Sequence, residues 1–133
     1  MPTLIVAAFV FIHGAIHLSF LAPRPPATAD GPPWPFTFDQ SWVVVRFGVR
    51  PGVIRLVGLA LTAVTFAALT FAAMSVAGLI PTQLWPPVVA LGAGTSIAML
   101  ALFFHPWLVL GVVIDVGLLT AAFLVDRSGL VPL

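Results

Sequence analysis

Three ionisable residues, His13, His17 and Asp115, interrupt stretches of sequence that are otherwise apolar. His13 and His17 are four residues apart, and this spacing puts both imidazoles on one face of a helix. Imidazole and carboxylate groups can exchange protons near neutral pH, and imidazole can also ligate metal ions. Ionisable groups are costly to place in a membrane and usually face a partner or a cavity there. These residues are therefore the first candidates for chemistry.

Four interpretations of this buried polar cluster remain open. The first is a His–Asp pair that relays protons or serves a quinone-type redox reaction. The second is ligation of a haem or a chlorophyll-type pigment by histidine. The third is a metal site, but the HxxxH spacing lacks the glutamate of a zincin motif, so we assign neither a metal nor a catalytic residue. The fourth is structural: the side chains hydrogen-bond to each other or to nearby hydroxyl groups and hold helices together.

The composition indicates that these residues lie in a membrane. Of the 133 residues, 61% are hydrophobic and 7% are charged, whereas soluble domains carry about 25% charged residues. So few charges cannot cover a surface that faces water, and we expect a single integral membrane domain spanning residues 1–133. The sequence lacks Lys, Asn and Tyr, whose codons are AT-rich, which indicates a GC-rich bacterial genome. Nothing in the sequence indicates nucleic-acid binding.

Four apolar segments reach the length of about 20 residues that a helix needs to cross a bilayer. They span residues 3–22, 52–79, 85–104 and 106–125. Backbone groups in lipid need internal hydrogen bonds, so we expect all four segments to be helices. The predicted fold is an all-α, four-helix transmembrane bundle with an up-down-up-down order. No basic residue precedes the first segment, so we expect it to be a membrane helix and not a cleaved signal peptide.

One long connection, residues 23–51, joins the first two segments and is rich in proline and aromatic residues. We expect this interfacial loop to lie on the membrane, with its aromatic side chains at the level of the lipid headgroups. Four of the five arginines lie on the side of this loop. The positive-inside rule therefore predicts a cytoplasmic loop, and termini on the outer side of a bacterial inner membrane. The candidate contacts with headgroups or a partner are Trp34, Trp42, Arg46, Arg50, Arg55 and His105.

Helix geometry predicts how the candidate residues meet. At 1.5 Å per residue, His13 lies about 13 Å and Asp115 about 15 Å below the loop-side edge of the membrane, so the two side chains should share one depth. Small residues permit close approach of helices in lipid. We expect helix packing at Ala8, Gly14, Ala15, Gly94, Ala98 and Gly111.

The motif HGAIHL at residues 13–18 resembles the HGxxHL pattern in the first helix of small four-helix bacterial membrane proteins, some of them grouped with the DoxX-like proteins. The segment FFHPWLVLGVVID, residues 103–115, is a second point of similarity. The resemblance implies a four-helix bundle and an association with membrane redox systems. It assigns no catalytic residue.

The sequence favours an interaction protein over an enzyme, because it has few polar side chains and no closed set of reactive groups. We expect a small accessory subunit of a larger bacterial membrane complex, of the respiratory, photosynthetic or lipid-transport kind. Its lipid-facing helices and its Pro/Trp-rich loop would contact the bilayer and the larger subunits. The alternative is a small membrane redox or cofactor-binding protein that holds haem, a pigment or a quinone with His13, His17 and Asp115.

Overall fold

The computed structural model describes residues 2–24, 26 and 34–128, with side chains described as far as residue 124. The regular structure of these residues is helical. The prediction of four helices that are long and apolar enough to cross a membrane is confirmed. The helices are α1 (Pro2–Ile16, continued by a 3-10 turn, His17–Leu21), α2 (Trp42–Phe47), α3 (Pro51–Val76), α4 (Trp85–Leu102, preceded by a 3-10 turn, Thr82–Leu84) and α5 (Val109–Ser128, preceded by a 3-10 turn, Pro106–Leu108).

Proline and glycine determine where the spanning helices begin and end. Pro51 is the first residue of α3, and Pro106 opens the turn that leads into α5. Proline suits the first turn of a helix because an N–H at that position would have no partner within the helix. α3 ends at Val76, three residues earlier than predicted. The reason is Gly78, whose φ of 74° is left-handed and closes the helix end.

The two helices α3 and α4 form the centre of the bundle. α3 packs against α1 and α4, and α4 packs against α3 and α5. Leu69 of α3 is fully buried where α1 and α4 meet it. A Cβ added to Gly14 of α1 would lie 2.9 Å from Leu69 Cβ, and one added to Gly92 of α4 would lie 2.8 Å from Leu69 Cδ2. Carbon atoms prefer separations of about 3.5–4.0 Å. Glycine at these two positions therefore lets α1 and α4 close on α3.

The small residues expected to pack helices divide into two groups. Gly14 lies against Leu69 as described, and Ala15 is half-buried. Gly111 of α5 faces α4, where an added Cβ would lie 3.0 Å from Leu100 Cδ1. These residues allow close approach of α1 to α3 and of α5 to α4.

Helix packing was also expected at Ala8, Gly94 and Ala98, but these residues are exposed in the part of the chain that the structure describes. A Cβ added to Gly94 would meet no atom within 4 Å. α4 instead turns the face with Gly92 toward α3, and α1 buries Ala7 in place of Ala8. Neither helix carries Asp, Glu, Lys or Arg to mark an outer face, so spacing alone did not indicate which small residues face inward.

The described part of the loop covers one end of the bundle. Ser41 Oγ donates a hydrogen bond to the carbonyl oxygen of Leu102 over 2.8 Å, and Trp42 Nε1 donates to the carbonyl oxygen of Ala101 over 2.7 Å. These carbonyl groups belong to the last turn of α4 and have no partner within the helix. Phe38 stacks on Phe20 at a ring distance of 5.3 Å. Side-chain caps and aromatic packing therefore attach residues 34–47 to the helix ends.

Candidate functional site

The structure brings His13, His17 and Asp115 into contact through a fourth residue, Ser96 of α4. His13 Nε2 lies 2.7 Å from Asp115 Oδ1, and Ser96 Oγ lies 2.5 Å from Asp115 Oδ2. Ser96 Oγ also lies 2.7 Å from His17 Nε2. His17 Nδ1 completes a cycle of hydrogen bonds by donating to the backbone oxygen of His13 over 3.0 Å. We call these four side chains the polar network. It links α1, α4 and α5.

The polar network is enclosed and nearly saturated with hydrogen bonds. The exposed fraction is 4% for His13, 3% for His17 and 0% for both Ser96 and Asp115. Both carboxyl oxygens, both nitrogens of His17 and one nitrogen of His13 take part in hydrogen bonds. A buried polar group without a partner costs about 1–3 kcal/mol. The network therefore stabilises the arrangement of three helices that otherwise meet through apolar contacts.

The glycines of the bundle explain how these side chains reach one another. Gly14 follows His13 directly and holds α1 against α3. Ser96 lies four residues after Gly92, so it faces the same side of α4. Asp115 lies four residues after Gly111, where α5 approaches α4 closely. Each close contact between helices therefore lies one turn or less from a member of the network.

One nitrogen of the network, His13 Nδ1, has no hydrogen-bond partner among the described residues. Because Nε2 donates its proton to Asp115, a neutral His13 keeps a lone pair on Nδ1. This nitrogen can accept a hydrogen bond from a hydroxyl group. A protonated His13 would instead donate from Nδ1 to a carbonyl oxygen.

A cavity of about 150 Å³ lies beside the network, between α1 and α5. Its rim includes Ile16, Trp107 and Leu110, which are 49%, 62% and 68% exposed. The cavity therefore opens sideways between the two helices, toward the surface that lipid would cover. Its wall is otherwise apolar apart from the two imidazoles. The remaining lining residues are His13, His17, Phe20, Phe36, Leu100, Leu108, Gly111 and Ile114.

The geometry argues against nucleophilic catalysis by Ser96 and against one of the open interpretations, the ligation of haem iron by both histidines. Nucleophilic catalysis by Ser96 would need a substrate at its oxygen, yet this oxygen is fully buried between Asp115 and His17. Ligation of haem iron by both histidines would break the network, because His17 uses both nitrogens within it. Among the described residues, no group of three or more His, Cys, Asp or Glu side chains is arranged to hold a metal ion.

The histidine and tryptophan residues expected at the membrane interface lie outside the polar network. His105 precedes the turn that leads into α5, and its Nδ1 accepts a hydrogen bond from the Trp107 backbone N–H over 3.3 Å. Trp42 is half exposed and holds the end of α4, as described above. Trp34 is half-buried and packs against Phe36.

Three arginines expected at the same interface are exposed on the loop side. None of them forms an ion pair with a described acidic side chain. Exposed arginines at this level are free to meet lipid phosphate groups. They are Arg46, Arg50 and Arg55.

Sequence reasoning did not find Ser96 as a member of the site. Serine is common in membrane helices, and its hydroxyl usually bonds to the backbone of its own helix. The signal for its role is its place one turn after Gly92 on the buried face of α4. This face became known only from the packing of α4 against α3.

No family model, curated protein or solved structure matches the chain. The resemblance of residues 13–18 to DoxX-like proteins therefore stays a prediction. The functional argument depends on the polar network and on the cavity beside it.

Proposed function

We propose that this protein binds the ring of a lipid-soluble molecule of the quinone class in the cavity between α1 and α5. One observation carries the proposal: an apolar cavity that opens toward the lipid contains an imidazole whose Nδ1 has no partner among the described residues. A hydroxyl group on the ring would donate a hydrogen bond to Nδ1 of neutral His13. A ring carbonyl would accept one from Nδ1 of protonated His13.

The size and lining of the cavity support a single six-membered ring. An apolar cavity of about 150 Å³ accommodates a benzene-sized molecule, and the cavity beside the network has this volume. Phe20, Phe36 and Trp107 supply aromatic faces for offset or edge contacts with such a ring. An apolar tail on the ring would leave between Ile16 and Leu110 and continue into the bilayer.

For the orientation in the membrane, we propose the arrangement predicted from the arginines. The loop side would face the cytoplasm of a bacterial cell, and the two termini would lie on the outer side of the inner membrane. The exposed arginines of the loop side and the exposed ring of Trp107 at the same end support this arrangement. The ring would then enter the cavity in the cytoplasmic leaflet.

A second candidate function is that of a structural accessory subunit in a larger respiratory, photosynthetic or lipid-transport complex. The outward face of α4 favours it, because Gly94 and Ala98 are exposed and an added Cβ at Gly94 would meet nothing. Small residues on an outer helix face let another helix approach closely. The two functions are compatible if a partner supplies or uses the bound ring.

Binding of a short-chain quinone or quinol to the purified protein in lipid nanodiscs tests the first proposal. Ile114→Phe fills the cavity, and Val113→Phe places the same side chain on the lipid-facing side of α5, where Val113 is 60% exposed. We expect Ile114→Phe to weaken binding about tenfold or more, equivalent to about 1.4 kcal/mol. Val113→Phe should bind like the wild type. Equal affinities for all three proteins would refute the proposed site.

Purification from the native membrane tests the second candidate. Gly94→Leu adds bulk to the outer face of α4, and Gly117→Leu adds the same bulk to α5, where an added Cβ would also meet nothing. We expect Gly94→Leu to lose a co-purifying membrane subunit that Gly117→Leu retains. Equal recovery of that subunit with both variants would refute a packing role for this face of α4.

A further inference from the structure

The hydrogen bonds of the polar network make the protonation states of His17 and Asp115 depend on each other. His17 Nδ1 lies 3.0 Å from the carbonyl oxygen of His13, which only accepts, so Nδ1 must carry a proton. The Ser96 hydroxyl has one proton but lies within hydrogen-bond distance of both His17 Nε2 and Asp115 Oδ2. It can donate to only one of them, so the other neighbour must donate to Ser96 Oγ.

Two arrangements satisfy both contacts of Ser96 without burying a charge that has no partner of opposite sign. In the first, Ser96 donates to an ionised Asp115, and His17 is an imidazolium that donates from Nε2 to Ser96 Oγ. In the second, Ser96 donates to Nε2 of a neutral His17, and a protonated Asp115 donates from Oδ2 to Ser96 Oγ. His13 Nε2 donates to Asp115 Oδ1 in both arrangements. An ionised Asp115 beside a neutral His17 would leave two lone pairs facing each other, which is costly in a buried site.

We propose that Ser96 is a proton-transfer bridge that couples Asp115 to His17, so that the two side chains are either both neutral or both charged. In the transfer, the O–H bond of Asp115 breaks and its proton goes to Ser96 Oγ. At the same time the original Ser96 proton forms the N–H bond at His17 Nε2. The serine is unchanged, and one proton has moved from α5 to α1.

The surroundings keep this exchange within the network. His13 is the other ionisable side chain in contact with Asp115. α3 carries one titratable residue, the exposed Arg55 near its start, and α4 carries none. On α5, Asp115 is the titratable residue between positions 109 and 124, and the acidic residue of the described loop, Asp39, is exposed. Among the described residues, His13 can therefore compensate for a charge on Asp115, whereas a charge on His17 has only Asp115 to compensate for it.

The bridge connects two imidazoles that both line the cavity, through two side chains that do not line it. Both nitrogens of His17 are used within the network, so a proton moved by the bridge stays on His17 and does not enter the cavity. The coupling depends only on the hydrogen bonds of Ser96 and goes beyond the proposed ring binding, because it exists with the cavity empty.

Spectroscopy of the ligand-free protein in lipid nanodiscs tests this coupling. Infrared absorption reports the fraction of protonated Asp115, with Asp115→Asn used to assign the carboxylic acid band. Nitrogen NMR of labelled histidine reports the fraction of neutral His17. At neutral pH we expect the two fractions to be equal and to change together as the temperature is varied. A neutral His17 beside an ionised Asp115 in the wild type would overturn the proposal, whether or not a quinone binds.

Variants separate the hydroxyl bridge from simple packing. Ser96→Ala should make the two fractions unequal, whereas Ser96→Thr keeps a hydroxyl and should keep them equal. Thr95→Val removes a neighbouring hydroxyl that bonds to Thr65 and lies outside the network, so it should also keep them equal. Equal fractions in Ser96→Ala would overturn the bridge. If Ser96→Ala fails to fold, the wild-type comparison alone decides the outcome.

Discussion

The close contact of Gly14 with Leu69 gives a prediction whose size follows from the structure. In Gly14→Ala, the new Cβ would lie 2.9 Å from Leu69 Cβ. Leu69 Cβ is bonded to the backbone of α3, so relief requires α1 or α3 to move rather than a side chain to rotate. Overpacking of this kind costs about 1–3 kcal/mol. We expect Gly14→Ala to lower the free energy of unfolding by that amount.

Gly92→Ala meets the same leucine at a different point and should cost less. Its new Cβ would lie 2.8 Å from both Leu69 Cδ2 and Leu69 Cγ. These atoms belong to the outer part of the side chain, so a change of rotamer relieves part of the clash. Gly117→Ala is the matched control, because an added Cβ there meets nothing. It should be neutral or stabilising by up to about 1 kcal/mol, since alanine favours helix over glycine.

Unfolding in bicelles measures these changes in the free energy of unfolding. The assay compares Gly14→Ala, Gly92→Ala and Gly117→Ala, each alone and combined with Leu69→Ala. Leu69→Ala removes the atoms beyond Cβ, so it should relieve Gly14→Ala only in part. It should relieve most of the clash in Gly92→Ala, where a contact of 3.2 Å with the Leu69 backbone nitrogen remains. A double-mutant cycle gives both coupling energies. Equal stability of Gly14→Ala and Gly117→Ala would refute the close contact of Gly14 with Leu69. It would also remove the explanation of how α1 comes close enough to α3 for its histidines to reach α4 and α5.

Three further predictions concern the network and the loop. Asp115→Leu removes two hydrogen bonds and should lower the unfolding free energy by about 1–3 kcal/mol, at about 0.6–1.7 kcal/mol per bond. The control Val116→Leu changes an exposed residue and should leave the unfolding free energy unchanged. Equal stabilities of the two variants would contradict a stabilising network. Gly58→Ala would place a Cβ 2.5 Å from the Phe38 ring. Backbone amides of residues 34–47 should therefore exchange hydrogen faster, while the exchange rates of α5 stay the same. Unchanged exchange in residues 34–47 would contradict this packing. Trp42→Phe loses the bond to the end of α4 and should cost about 0.5–1.5 kcal/mol in the same unfolding assay, and an unchanged midpoint would contradict the capping role.

The polar network explains why a chain with so few charges keeps an acid in the middle of an apolar helix. Apolar contacts between helices in lipid are weakly directional, because lipid tails are as apolar as the helix surfaces. Hydrogen bonds from His13 and Ser96 to Asp115 require defined positions of three helices. The network can therefore fix the packing order and also provide sites for protons beside the cavity.

The sequence alone predicted four helices that are long and apolar enough to cross a membrane, and most of their boundaries. Hydrocarbon excludes unpaired backbone groups, so any apolar segment of sufficient length must be helical. Pro106 was predicted to begin the fourth segment, and it opens the turn into α5. Pro51 was assigned to the loop but is the first residue of α3, and Gly78, which ends α3 early, was overlooked. The rise per residue placed His13 and Asp115 at similar depths before their contact was seen.

The tertiary structure decided which faces of the helices point inward. In a soluble protein a polar face and an apolar face distinguish outside from inside, but here both faces are apolar. The sequence therefore did not distinguish Gly92, which contacts Leu69, from Gly94, which faces outward. For the same reason it did not place Ser96 beside Asp115 or reveal the cavity between α1 and α5, since both depend on how each helix is rotated about its own axis.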